Sequence, residues 1–272
     1  GHRSMITKEI LIADIRAMGI ASTDTVMIHT SMRAIGGVDG GADTVIDAFC
    51  EVLKDGLLLV PTHTWGTVGP KNPLYDVRTA QPNIGALPCA AARRSDGVRS
   101  LHPTHSMWAK GVGAAEFVRG EEKALTPTPP GFAWSRLADV GAKILLLGVG
   151  LDKNTFIHAV DELYDLPDRL AEEPYTVTIR DYDGQELSRP CYPHHCSRTW
   201  DVSAHFVNFE PAFLACGVMS FGKLGNAAVR IVDAKKCRDT VLRIYESAAR
   251  DDTRTDKDLC VEYLDIPESY YQ

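Results

Sequence analysis

The run KILLLGVG, Lys143 to Gly150, constrains the fold more than any other stretch of this chain. A strand with one wet face alternates apolar and polar side chains. Ile144 to Leu147 are apolar without a break, which requires cover on both faces, as in a sheet held between two layers of helices. TVMIHTS (Thr25 to Ser31) and LLLVPTHTW (Leu57 to Trp65) have the same character, and both end in polar residues. Between them Ala42, Val45, Ile46, Phe49, Cys50 and Leu53 recur at i, i+3, i+4, i+7, i+8 and i+11, one face of a helix that Gly56 stops. This alternation predicts an α/β fold with a mixed central sheet flanked by helices. YTVTIRDYDGQEL adds an antiparallel hairpin turning at Asp183-Gly184. Further helices are expected at Ile84 to Arg94, with Pro88 at or near its start, at Phe206 to Ala215 and at Ala234 to Arg250, the last two separated by the strand AAVRIVD. The proline-rich TPTPPG, Thr126 to Gly131, cannot sit in a central strand and bridges two elements.

At 272 residues with no visible linker, the chain is expected to form a single domain over residues 5–272, the GHRS before Met5 reading as an expression scar. No apolar run approaches the roughly 20 residues of a membrane span. Seven scattered cysteines without a C-x-x-C point to reduced thiols and a cytoplasmic location. The net charge of −7 disfavours nucleic acid and suits a cationic small-molecule substrate.

Chemistry-bearing residues gather at the ends of the expected strands. His29 and Ser31 end the first, His63 and Thr64 the second, and His102, His105 and Ser106 lie in the loop LHPTHS. Strand C-termini in α/β sheets face a common crevice, so these side chains are expected to converge. The loop from Ser31 to Gly41 carries four glycines before a helix start, where backbone N–H groups and the helix dipole favour an anion such as a phosphate. A tight connection needing positive φ explains the same glycines. The loop is no P-loop, and it misses R-x-x-G-x-[GA] because Val38 follows Arg33 and Gly36 where Gly or Ala is needed. GVGLDK lacks the third glycine of a dinucleotide fingerprint, and no G-x-S-x-G elbow is present.

In TFIHAVDE, Thr155 to Glu162, a helix capped near Thr155 places His158 in its first turn, with Asp161 and Glu162 at i+3 and i+4 on the same face. A carboxylate there can orient the imidazole, while the helix N-terminus keeps it neutral and able to accept a proton. An exposed histidine in an acidic helix has the same spacing. CYPHHC, Cys191 to Cys196, has potential metal ligands, but four within six residues rarely wrap one ion. His195 from this loop is expected in the crevice instead.

Taken in order, HTSMRAIGGVDGGADTVIDAF, LLVPTHTW, HPTHSMWAKG, ILLLGVGLDKNTFIHAVDE and HHCSRTWD resemble the aminoglycoside 3-N-acetyltransferase family over nearly the whole chain. The resemblance implies the antibiotic N-acetyltransferase fold, distinct from the commoner acetyltransferase superfamily. It also implies acetyl transfer from acetyl-coenzyme A to a primary amine of an aminoglycoside, with no metal. On it, His158 matches the catalytic base. Ser31, Met32, Arg33, Gly36, Gly37 and Val38, with Thr104, His105 and Ser106, match the coenzyme A contacts. His29, Thr64 and His195 stand behind these as further active-site candidates. The family usually has Glu three residues after the histidine, where this chain has Asp161 followed by Glu162, so either carboxylate is a candidate to orient the ring. Two other readings stay open: a metal-dependent hydrolase using His63, His102, His105 and His195, and a coenzyme A-binding homologue acting on another amine or on none. The sequence leaves oligomeric state open.

Overall fold

The computed structural model describes residues 5–254 and 265–272; the GHRS segment and Cys260 lie outside the described residues. The strands are β1 (Thr25–Thr30), β2 (Leu57–Pro61), β3 (Leu74–Asp76), β4 (Val98–Arg99), β5 (Met107–Gly111), β6 (Lys143–Leu147), β7 (Tyr175–Arg180), β8 (Glu186–Cys191), β9 (Met219–Leu224) and β10 (Ala227–Asp233). The helices are α1 (Lys8–Ala17), α2 (Met32–Ile35), α3 (Gly41–Val52), α4 (Ala86–Arg93), α5 (Ala114–Phe117), α6 (Ala133–Asp139), α7 (Phe156–Tyr164), α8 (Glu210–Ala215) and α9 (Ala234–Arg250).

The large sheet runs β4-β5-β2-β1-β6-β10-β9. Its centre is parallel, β1 lying between β2 and β6, and antiparallel strands extend it on both sides, β5 on β2 and β10 on β6. The apolar runs divide between its faces by the two-residue period of a strand. Met27, Leu57, Leu59, Ile144 and Leu146 pack with Trp134, Leu137, Phe156, Val160, Val241 and Ile244 of α6, α7 and α9. Val26, Ile28, Leu58, Val60, Leu145 and Leu147 pack with Leu11, Ile15, Val45, Phe49 and Leu87 of α1, α3 and α4. Helices on both faces therefore account for strands that tolerate no polar interruption.

The hairpin forms where expected, β7 pairing antiparallel with β8. It does not extend the large sheet: with β3, parallel to β7, it makes a separate three-stranded sheet over Val68, Tyr75, Val77, Val177 and Ile179. Buried Arg99 joins the two sheets. Its Nε donates to the Thr62 and Ser106 hydroxyls at 3.2 Å each, its terminal nitrogens donate to the Ala80 and Thr62 carbonyls at 2.5 and 3.1 Å, and its guanidinium lies 5.4 Å from the Tyr75 ring centre.

Near the C-terminus, α9 begins where Asp233 accepts the Lys236 N–H at 2.9 Å. The helix expected over Phe206 to Ala215 is instead a 3₁₀ stretch, Val202–Phe209, running into α8. Pro211 gives the reason. It has no N–H to continue an α-helix from the preceding turn, but it suits the first turn of a new one.

Candidate active site

The C-terminal ends of β1, β2 and β6 deliver a cluster of histidines. His29, at the end of β1, is buried with its ring stacked toward Trp134, centroids 6.1 Å apart. His63, two residues past β2, lies 5.5 Å from the same indole, and its Nε2 is 3.0 Å from the Thr155 hydroxyl. Trp134 is itself fixed by donating its Nε1–H to the His105 carbonyl at 2.8 Å. His105 stands edge-on to His63 at 4.8 Å, with its Nδ1 2.9 Å from the Thr104 hydroxyl.

His102 organises the turn that carries them. Its Nδ1 accepts the N–H groups of Thr104 and His105 at 3.1 and 2.9 Å, so this nitrogen bears the lone pair and Nε2–H donates to the Thr126 carbonyl at 2.9 Å. Both ring nitrogens are thereby committed to backbone, which removes His102 from the ligand set of the hydrolase reading.

Thr155 precedes α7 with helical backbone angles, φ −54° and ψ −29°, and makes no side-chain cap. Its hydroxyl serves His63 instead. One turn on, the half-buried His158 stacks on His194, centroids 4.3 Å apart and ring planes 24° apart, and meets the edge of Phe206 at 4.9 Å. The two carboxylates after it turn to different partners. Asp161 accepts the Tyr245 hydroxyl of α9 and faces the guanidinium of Arg169 at 3.7 Å, both side chains buried. Glu162 accepts the Thr128 N–H at 2.7 Å and the Thr128 hydroxyl, and its Oε2 lies 3.6 Å from His194 Nε2.

Burial fixes the charge state of five of these rings. Desolvation holds His29 down to about 3 and His102 down to about 4. It also holds His63, His105 and His158 well below the usual histidine range, with neighbouring imidazoles adding to the effect and Arg169 adding to it at His158. At neutral pH these five rings are uncharged bases.

Several residues expected in the crevice are placed otherwise. The hydroxyls of Thr64 and Ser106 are fully buried and turned inward, Thr64 donating to the Pro103 carbonyl at 2.6 Å and Ser106 to the Thr62 carbonyl at 2.9 Å. Arg99 Nε also donates to the Ser106 hydroxyl. His195 is exposed, while His194, which the sequence reading passed over, enters the cluster. The exchange follows from local geometry: Leu170 and His194 form a β-bridge and the His195 N–H bonds to the Arg169 carbonyl at 2.9 Å, so successive side chains point to opposite sides. The available signal was the dipeptide His194-His195 itself, since an extended loop must send one of the two inward.

The glycine-bearing loop leaves β1 beside β6, the Ser31 N–H donating to the Leu147 carbonyl at 2.9 Å. The Ser31 hydroxyl caps α2 by accepting the Ala34 N–H at 3.1 Å. Met32 is half-buried, Arg33 and Gly37 are exposed, and buried Val38 pairs with Ile6. Gly36 and Gly40 adopt positive φ of 103° and 86°, as the tight-connection reading required. The chain then enters α3 with Gly40 at its cap, no capping side chain and Asp43 in the first turn.

Comparison with known proteins gives this arrangement its relatives. A family model described as aminoglycoside 3-N-acetyltransferase matches residues 27–246. Aminoglycoside N(3)-acetyltransferase VII of Streptomyces paromomycinus is 34% identical over 180 residues, which span 60% of this chain and 62% of that protein. The type IX enzyme of Micromonospora chalcea is 31% identical over 210 residues, 66% of this chain and 74% of its own length. The crystal structure of aminoglycoside acetyltransferase AAC(3)-Xa superimposes with a TM-score of 0.74 at 28% identity, covering 87% of this chain and 91% of the other. AAC-IIIb, solved as a binary complex with CoASH, has the same fold at a TM-score of 0.73 and 24% identity, covering 87% and 94%. The family match runs from the middle of β1 into α9, taking in every strand that delivers a histidine to the cluster, and on that match the chain belongs to the aminoglycoside 3-N-acetyltransferase family.

Proposed function

We propose that the protein transfers the acetyl group of acetyl-coenzyme A to a primary amine, the 3-amino group of an aminoglycoside, by direct attack with His158 as general base. The observation that carries this reading is the His158 imidazole, held neutral by burial and stacked on His194, in a chain of this family, at the position that the resemblance gives to the base. An amine with a pKa well above 7 is mostly protonated in water and must lose a proton to attack a thioester. In the proposed step the amine nitrogen bonds to the thioester carbon and the carbon–sulfur bond breaks. His158 takes the amine proton, and a proton returned through solvent completes the free thiol. Residues of the Ser31–Gly41 loop would hold acetyl-coenzyme A, which supplies the acetyl group.

His158→Ala is expected to lower kcat by about 10²–10⁴-fold, the usual worth of a positioned base, while coenzyme A binding is retained. Thiol release from acetyl-coenzyme A across a panel of aminoglycosides, with calorimetric titration of coenzyme A, separates the two effects. Full turnover in the variant would remove His158 from the role.

Gly148→Ala tests the donor side. Gly148 has a φ of 73°, and a Cβ there would lie 2.4 Å from the Ala34 Cβ in α2, so the new methyl strains its own backbone and pushes the loop. We expect acetyl-coenzyme A affinity to fall about tenfold and stability by about 1–3 kcal/mol, read by calorimetry and thermal melting. Unchanged affinity would place the donor elsewhere.

A further inference from the structure

The carboxylates that follow His158 have partners that the helical spacing alone does not foretell. Asp161 looks toward α9 and Arg169. Glu162, clamped by both donors of Thr128, meets not His158 but His194, and His194 lies flat against the His158 ring. Two imidazoles stacked at 4.3 Å cannot both take a proton cheaply, because like charges that close repel strongly. The backbone bridge between Leu170 and His194 fixes where the second ring hangs.

We propose that His194 is a positioning residue for the base: Glu162, braced by Thr128, holds the His194 ring against His158, so that the two imidazoles form one unit that admits a single proton. The proposal rests on the reading of His158 as base and names the group through which a carboxylate acts on it. His194 does this without touching the reacting atoms. It sets the tilt of the His158 ring by stacking and opposes a resting charge on it. The groups that face the pair are Glu162 from the same helix, His105 and His102 from the turn before β5, His63 after β2, and Arg169 from the segment after α7. Glu162 is the acid among them that meets His194, and it meets that ring on its Nε2 edge, leaving the stacked face to His158. His194 therefore serves the reaction from a loop that the spacing of α7 cannot reveal.

The test is a pH titration of the imidazole signals by nuclear magnetic resonance, run beside the pH profile of kcat/KM, in the parent protein, His194→Asn and Glu162→Ala. In His194→Asn the competing ring is gone, so the His158 titration and the acid limb of kcat/KM should both move to higher pH, by about one unit or a tenfold change in proton affinity. In Glu162→Ala, kcat should fall about tenfold with KM for acetyl-coenzyme A unchanged, since ring orientation is lost and the donor loop is untouched. Thr128→Ala, which removes one of the two braces, should show the same split in smaller measure and stands in if Glu162→Ala does not fold. An unmoved His158 titration and acid limb in His194→Asn would overturn the proposal. Should the parent protein acetylate no amine, the proposed function fails while the titration still decides whether the two rings are coupled.

Discussion

Lowering the pH from 7 to 5 is expected to destabilise the protein by several kcal/mol, with net proton uptake on unfolding. Five histidines are held neutral by burial: His29 down to about 3, His102 down to about 4, and His63, His105 and His158 well below their ordinary value. Each titrates near 6.5 once unfolded, so between 6.5 and its folded value the unfolded chain binds the extra proton. Stability from these groups is therefore complete above about pH 7 and drains away as pH falls below 6.5, at about 1.4 kcal/mol per group per pH unit. At pH 5, His29 and His102 alone account for about 4 kcal/mol on this arithmetic, a large share of the 5–15 kcal/mol typical of a folded domain. Glu121 works against them. Desolvation raises its carboxyl to about 7, so the folded state gains from protonating it as pH drops from 7 toward 4.5. One such group offsets part of the loss from five. Melting temperatures across pH 5–8 decide the matter: a flat profile would show that the rings are not neutral and buried as described, and Glu121→Gln should steepen the fall.

Asp161→Ala should cost about 3–5 kcal/mol, the usual price of removing one partner from a buried ion pair. The Asp161 carboxylate is 2% exposed and Arg169 5% exposed, so the guanidinium left behind loses its facing charge where water cannot replace it. The damage should spread along the chain. Arg169 also donates to the Asp168 carbonyl and the Cys196 sulfur, and its own carbonyl accepts the His195 N–H. Asp168, at a positive φ of 57°, holds the Ser197 N–H and hydroxyl. Urea unfolding of Asp161→Ala and Asp161→Asn should rank them with Ala the less stable. A loss under 1 kcal/mol in the Ala variant would mean that the pair carries little, and that the loop bearing His194 is held by its backbone bonds alone.

How much of this was legible in the sequence depended on whether the signal was local. Ile144 to Leu147 read as a doubly covered strand because each residue buries one face or the other, and Ala234 to Arg250 read as a helix because its apolar period is unbroken. The hairpin was visible, but its sheet was not: its third strand, Leu74–Asp76, is three residues long and pairs at a distance no pattern marks. Within the site, the gathering of His29, His63 and His105 followed from the strand ends, while His158 comes from α7 and meets the others through its stack on His194. The direction of each hydroxyl did not follow from the strand ends. Thr64 and Ser106 turn inward because Pro103, Thr62 and Arg99 offer them partners there, and those partnerships exist only once the chain is folded. The choice between His194 and His195 likewise waited on the bridge to Leu170.

The pairing of Val38 with Ile6 has a dynamic consequence. Because the Ile6 N–H bonds to the Gly37 carbonyl at 2.8 Å and the Asp39 N–H returns to the Ile6 carbonyl at 2.9 Å, the glycine-bearing loop is stitched to the segment leading into α1, which packs on α3 and β9. Such a loop cannot flap on its own; to swing aside it would have to drag a corner of the sheet along. If acetyl-coenzyme A binds along this loop as proposed, it meets a segment that is already ordered, and little conformational entropy is lost at the moment of capture.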